Sequence, residues 1–239
     1  DLHRRRHSFP TRRSSDLWAV HQTELAAGTA SKDAWSNYGH RAGTRASCLA
    51  EQLSLCAYAE LVLDETDLGM HLDHVKPKSK FPHDTFSHNN LLLSAIDDIG
   101  RRQLTAQDVF GGHARGNRYH PTWFIHPLRP DSRRYFHYAS DGRMEPRRGL
   151  STRDRRRAAY TIGVMNLNAP VLVNRRRRWL EEIELEIDKL LGDRVALEYF
   201  AMVELCPTGD RLRPFHSAVR TRFGAVGEAM LANHCPQCV

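Results

Sequence analysis

Hydrophobic residues recur at helical spacing in some stretches of the chain and at strand-like density in others. Across TRASCLAEQLSLCAYAE, residues 44–60, Leu49, Leu53 and Cys56 share a face and predict a helix. Leu61-Val62-Leu63 and Met70-His71-Leu72-Asp73-His74 flank a polar turn and predict two short strands. After Asn90 the run LLLSAI is apolar throughout, which fits either the start of a helix or a buried strand. Residues 97–120 are polar and glycine-rich, and predict loop plus a short helix near FGGHARGN. YFHYASDGRMEP, residues 135–146, predicts a hairpin turning at Asp141-Gly142. A helix is expected after Asp154 to about Asn166, with Ala158, Ile162 and Met165 on one face. The clearest helix follows, capped by Asn168, with Pro170 in its first turn, a stripe of Leu172, Trp179, Ile183, Ile187 and Leu190, and Gly192 as its stop. Together these predict an α+β unit at 44–120 wrapped by helices, with 121–192 a hairpin and helical extension of the same domain and 193–239 a C-terminal segment.

Composition narrows the class. The chain has 239 residues, 41% of them hydrophobic, and a mean hydropathy of −0.56, which suits one globular domain or a core plus an appendage. No apolar run reaches the roughly 18 residues of a membrane span, and no apolar segment follows the basic N-terminus as a secretory signal would have. A cytoplasmic location is the expectation. Residues 8–17, SFPTRRSSDL, resemble the translation of a sequencing adapter, so residues 1–17 are expected to be a disordered assembly scar; the rival reading is a basic arm that binds nucleic acid. That stretch holds five Arg and two Asp, so the rest of the chain carries +7 − 3 = +4. This mild excess permits a polyanionic partner without requiring one. Five widely spaced cysteines, an odd count, argue against a disulfide framework and for a reducing compartment.

The densest chemistry lies in HLDHVKPKS, residues 71–79. On a strand His71 and Asp73 share one side and His74 points to the other. Asp is a hard oxygen ligand suited to Mg²⁺ or Mn²⁺, and a neutral His can take a proton from water near neutral pH. Lys76 and Lys78 add charge that a phosphate would meet. The bland alternative is two ordinary strand histidines beside a salt-bridged Asp73. Two further features weigh against it. Asn90 could hold an imidazole through its side-chain carbonyl, although Asn before an apolar run is often only a turn residue. In FGGHARGN the glycines suggest close backbone approach, His113 a second ligand and Arg115 a phosphate contact.

Asp73-His74, then Asn90, then His113 is an order that resembles the HNH, or ββα-metal, nucleases. Through LCAYAEL, HLDHVKPKSKFP, TFSHNNLLLS, FGGHARGNRY, FIHPL, YFHYASDGRMEP and YTIGVMNLNAPVLVNRRR, the chain is similar to HNH endonucleases of the Septu (PtuB-like) and retron-associated antiphage systems over roughly residues 44–180. The resemblance implies a ββα-metal nuclease core at 44–120 embedded in a mostly helical domain, cutting phage or host DNA with Mg²⁺ or Mn²⁺. It implies Asp73 and His113 as metal ligands, His74 as general base and Asn90 as the residue orienting it, with Asn89 an alternative for that role. His71 and Asn117 become site neighbours, and Lys76, Lys78 and Arg115 backbone contacts. The implied partners are an SMC/RecF-like ATPase and, in retrons, a reverse transcriptase with its RNA–DNA product. The alternative is a catalytically degenerate HNH fold that binds nucleic acid or the ATPase.

The sequence departs from these relatives where they carry C-x-Y-C-E and a further Cys before the last motif. Here Cys56-Ala57-Tyr58-Ala59-Glu60 stands instead, and glycines precede His113, so a four-coordinate structural zinc is not expected. Packing of Cys56 and Tyr58 is expected to replace it. Three readings stay open. Cys235-Pro-Gln-Cys238 with Cys206 and His234 is a zinc candidate or a frayed tail. The runs Arg153–Arg157 and Arg175–Arg178 line a nucleic-acid path or are solvated helix faces. Trp123 and Tyr135 stack on bases or pack in the core.

Overall fold

The computed structural model describes residues 31–238, and the adapter-like stretch 1–17 lies outside them. The chain forms α1 (Ser31–Ser36), α2 (Arg41–Glu51), β1 (Met70–His74), β2 (Leu91–Ala95), α3 (Asp98–Gln103) and α4 (Gly111–Arg115). It continues with β3 (Phe136–Tyr138), β4 (Met144–Pro146), α5 (Thr152–Val164), α6 (Pro170–Leu190), α7 (Arg194–Leu205) and α8 (His216–His234). The result is a mixed α+β fold of helices around two small antiparallel hairpins, β1 with β2 and β3 with β4.

The helix expected over 44–60 stops at Glu51. Leu53 and Ser54 take positive φ, 49° and 64°, and the chain doubles back into a knuckle at 55–62. Tertiary bonds outweigh helical propensity here. The Cys56 N–H donates to the Leu61 carbonyl at 2.8 Å, and the Ala57 N–H to the Leu93 carbonyl at 3.1 Å. The strand expected at 61–63 is reduced to a single bridge, Leu55 with Val62. LLLSAI resolves as strand: β2 pairs with β1 in the register His71–Ser94, Asp73–Leu92 and His74–Leu91, and all five of its residues are buried.

The hairpin at Asp141-Gly142 forms as expected. Gly142 sits at φ 86°, and a Cβ there would lie 2.3 Å from the Val173 carbonyl oxygen, so this turn requires glycine. Helix α5 begins earlier than expected, because the Ser151 hydroxyl caps it by accepting from the Asp154 N–H at 3.1 Å. Asn168 does not cap α6; Ala169 stands at that position. The Asn168 side chain instead bonds both backbone groups of Met144, tying α6 to β4.

One continuous cluster of buried side chains runs from Cys48 through β2 and α6 to Cys235, so the knuckle, the helical extension and the C-terminal segment share a core. Cys206 and Cys235 form a disulfide at the ends of α7 and α8, with Cα atoms 5.9 Å apart. The cysteine pattern argues against a disulfide framework; this one bridge forms nonetheless, while Cys48 and Cys56 are free thiols. Helix α8 is kinked at Gly224, and its C-terminal end meets that of α7, bringing together thiols 29 residues apart; closing a loop of that size restricts the unfolded chain by about 3–4 kcal/mol. The Cys206 and Cys235 sulfurs are thus committed to each other rather than to a zinc site. Trp179 packs partly buried against the core and Tyr135 is fully buried, which assigns Tyr135 to packing. No helix among the described residues is long and apolar enough to cross a membrane.

Candidate active site

Strand β1 has two chemically different faces. His71 and Asp73 face α4, as strand alternation predicts. Close approach there depends on a glycine: a Cβ on Gly112 would lie 2.6 Å from the Asp73 carboxyl carbon. His113 follows immediately, and its ring centroid lies 4.4 Å from that of His71. The expected pair Asp73 and His113 is therefore brought together, with His71 beside it. The His71 Nδ1–H donates to the Ile96 carbonyl at 2.5 Å, which leaves the Nε2 lone pair unprotonated in the neutral ring. Burial and the neighbouring His71 push the His113 imidazole below the usual histidine range.

The Asp73 carboxylate is already engaged. It accepts from the Tyr58 hydroxyl at 2.6 Å and from Arg115 Nη2 at 3.0 and 3.2 Å. Arg115 is 3% exposed, and its guanidinium also donates to the carbonyls of His74 and Gly116. This corrects the expectation of Arg115 as a phosphate contact: the side chain is a buried strut between α4 and β1. Burial, then the Asp73 charge, push the Tyr58 phenol well above its ordinary value, so it stays a hydrogen-bond donor.

His74 occupies the opposite face. Its Nε2–H donates to the Thr85 carbonyl at 2.9 Å, which assigns the lone pair of the neutral ring to Nδ1. The Trp35 ring stands edge-on to it at 4.4 Å. Burial first, then the Lys78 charge, lower its pKa to about 4.

Asn90 does not touch the imidazole, contrary to the expected contact through its carbonyl. Its Oδ1 accepts from the Lys76 N–H at 2.7 Å, and its Nδ2 donates to the carbonyls of Lys76 at 3.1 Å and Asp84 at 2.9 Å. It clamps the two ends of the loop that carries Thr85, and so holds the ring at one remove. A side chain 3% exposed with all three of these bonds made is a rigid clamp.

Lys76 reaches Asp84 at 2.8 Å and stays partly exposed; Lys78 is half-buried near His74. Asn89 and Asn117 are exposed and join neither face. Sequence reasoning missed Trp35 and Thr85, for which no local motif gives a signal. It also missed His126, whose backbone-bonded ring near Asn89 and Lys76 is lowered in pKa mainly by burial. At the knuckle, Cys56 is fully buried and its sulfur accepts from the N–H groups of Ala59 at 3.5 Å and Ala95 at 3.2 Å.

Among the described residues no three His, Cys, Asp or Glu side chains converge into a ready-made metal cage. The donors that are present fit a hard divalent ion that keeps several waters. Asp73 supplies oxygen, and His113 Nε2 is buried without any hydrogen-bond partner, as a vacant donor nitrogen would be. Any such ion would share the Asp73 carboxylate with Arg115.

No family model matches the chain. Over 135 residues it is 26% identical to a protein of Vibrio cholerae serotype O1 biovar El Tor described as "Retron Vc95 putative HNH endonuclease". The match covers 55% of this chain and 60% of that relative's length.

Proposed function

We propose that this chain is a metal-dependent HNH endonuclease that hydrolyses phosphodiester bonds in DNA, acting as the effector nuclease of a retron or Septu-type antiphage system. The observation that carries the reading is the two-faced strand: Asp73 and His113 adjoin on one side, and His74 is fixed in a single tautomer on the other. The name of the Vibrio relative supports the same class. In this reading β1, β2 and α4 are the ββα-metal core.

Asp73 and His113 would hold Mg²⁺ or Mn²⁺, and the bound ion supplies Lewis-acid stabilisation of charge developing on the phosphate. His74 takes the proton of the attacking water at Nδ1, since Nε2 is committed to Thr85. Asn90 keeps the Thr85 loop, and hence the ring, in place. Burial is the main cause of the lowered His74 pKa and the Lys78 charge the second; a phosphate paired with Lys78 would offset that second contribution and strengthen the base when substrate is bound. Lys76 and Lys78 serve as backbone contacts. The partners would be an SMC/RecF-like ATPase and, in a retron, the reverse transcriptase with its RNA–DNA.

One observation favours the second reading, a non-cutting subunit that binds nucleic acid or the ATPase: Arg115 engages both oxygens of Asp73. Nicking of supercoiled plasmid by the full chain in Mn²⁺ separates the two. The nuclease reading expects cleavage that EDTA abolishes and that His74→Ala and Asn90→Ala each reduce at least about 100-fold, the scale of a lost general base. Cleavage indifferent to His74→Ala sinks the assignment. A chain that binds DNA and never nicks it supports the second reading.

A further inference from the structure

The two arginine runs are used differently. In Arg175–Arg178, Arg176 is 1% exposed, donates to the Gly142 and Leu167 carbonyls, and lies between the rings of Tyr138 and Phe215. Arg175 pairs with Asp67 at 3.1 Å and Arg177 with Glu181 at 3.3 Å. That run is mostly structural.

The segment 147–157 differs. It holds six Arg and one Asp, 6 − 1 = +5. Arg157 turns inward to the Tyr135 hydroxyl at 2.9 Å. Asp154 is held by Arg157 at 3.4 Å and Arg134 at 3.6 Å, so it offsets little else. Arg148, Arg153, Arg155 and Arg156 are exposed, and none makes a side-chain ion pair or hydrogen bond among the described residues.

Helix α5 fixes Arg153, Arg155 and Arg156 relative to the candidate active site, and Arg148 lies in the turn that leads into it. Its far end meets α4 and the following loop: the Gly111 N–H donates to the Met165 carbonyl at 2.8 Å, and Thr161 Oγ1 accepts from the Ile125 N–H at 2.9 Å. The eleven steps from Arg153 to Val164 span about 16 Å at 1.5 Å each, roughly half a turn of duplex DNA. None of the large exposed hydrophobic side chains falls in 147–157. A protein interface wants apolar anchors at its centre, whereas a sugar–phosphate backbone is met by charge alone.

We propose that Arg148, Arg153, Arg155 and Arg156 form a docking surface for the phosphate backbone of duplex DNA, flanking the cleavage site. This rests on the nuclease reading, and its test is separable from it. Binding of the full chain to a duplex of about 30 base pairs, roughly three turns, is followed by fluorescence anisotropy in EDTA between about 50 and 200 mM salt. The Arg148→Gln/Arg153→Gln/Arg155→Gln/Arg156→Gln variant should bind at least about 10-fold more weakly, with a log K against log salt slope shallower by about 3 to 4, near one per lost contact. Its thermal unfolding should match the parent, and Arg175→Gln should leave the slope unchanged.

A quadruple variant with the parental slope overturns the surface, as does a parent that does not bind. Duplex RNA that displaces the DNA more effectively than duplex DNA does overturns the choice of ligand. Intact binding with no nicking in Mn²⁺ instead removes the nuclease reading and leaves the surface standing.

Discussion

The two faces of β1 hold their functional groups by opposite means. Toward α4, the Asp73 carboxylate is enclosed by the Arg115 guanidinium and the Tyr58 phenol, the ion pair buried at 3% and 8% exposure. Toward α1, His74 is kept neutral by burial under Trp35, with one carbonyl as its polar anchor. A charge in a dry site needs a counter-charge, whereas an imidazole can shed its charge at the cost of basicity. The carboxylate face should therefore fail when a partner is removed, and the imidazole face when pH falls.

Arg115→Met tests the carboxylate face with the largest expected effect. It leaves Asp73 buried with only Tyr58, and should cost about 3–5 kcal/mol in urea unfolding. A loss below about 1 kcal/mol would mean that water or a shift of α4 replaces the guanidinium.

The pH dependence of stability tests the other face. Unfolded, His74 binds a proton below its ordinary pKa of 6.5; folded, it does so only below about 4. Within that window the unfolded state holds the extra proton, so stability falls as pH falls. Between pH 7 and about 4, parent minus His74→Gln should show a loss on the order of 3 kcal/mol. Other buried histidines cancel in that difference. Parallel curves for the two proteins would place the ring in water.

Tyr58→Phe is the mildest change, about 2 kcal/mol from one hydrogen bond to a charged acceptor. If it costs as much as Arg115→Met, the phenol rather than the guanidinium anchors the face.

Much of this frame was legible in the sequence where a local rule and the tertiary structure agree. MHLDH reads as strand by its bounds and by the facing of its side chains, and Asp141-Gly142 reads as a turn. Asp73 and His113 were paired by motif order, and Gly112 allows the contact. The failures lie where distant chain decides. The helix at 44–60 broke because Cys56 and Ala57 bond to residues far along the chain. Asn168 and Asn90 hydrogen-bond to strands and loops that no window around them contains. Arg115 reads as a surface cation, and only the fold shows Asp73 waiting 42 residues upstream.

The knuckle has one further consequence. Tyr58 reaches Asp73, and two residues later Glu60 turns at φ 55° and accepts from the Ser217 hydroxyl and N–H at 2.5 and 2.8 Å, at the start of α8. The same short loop thus grips the site with one hand and the C-terminal helix with the other. Asp73 and the first turn of α8 are therefore tethered to one another through a single three-residue stretch of the knuckle, Tyr58 to Glu60.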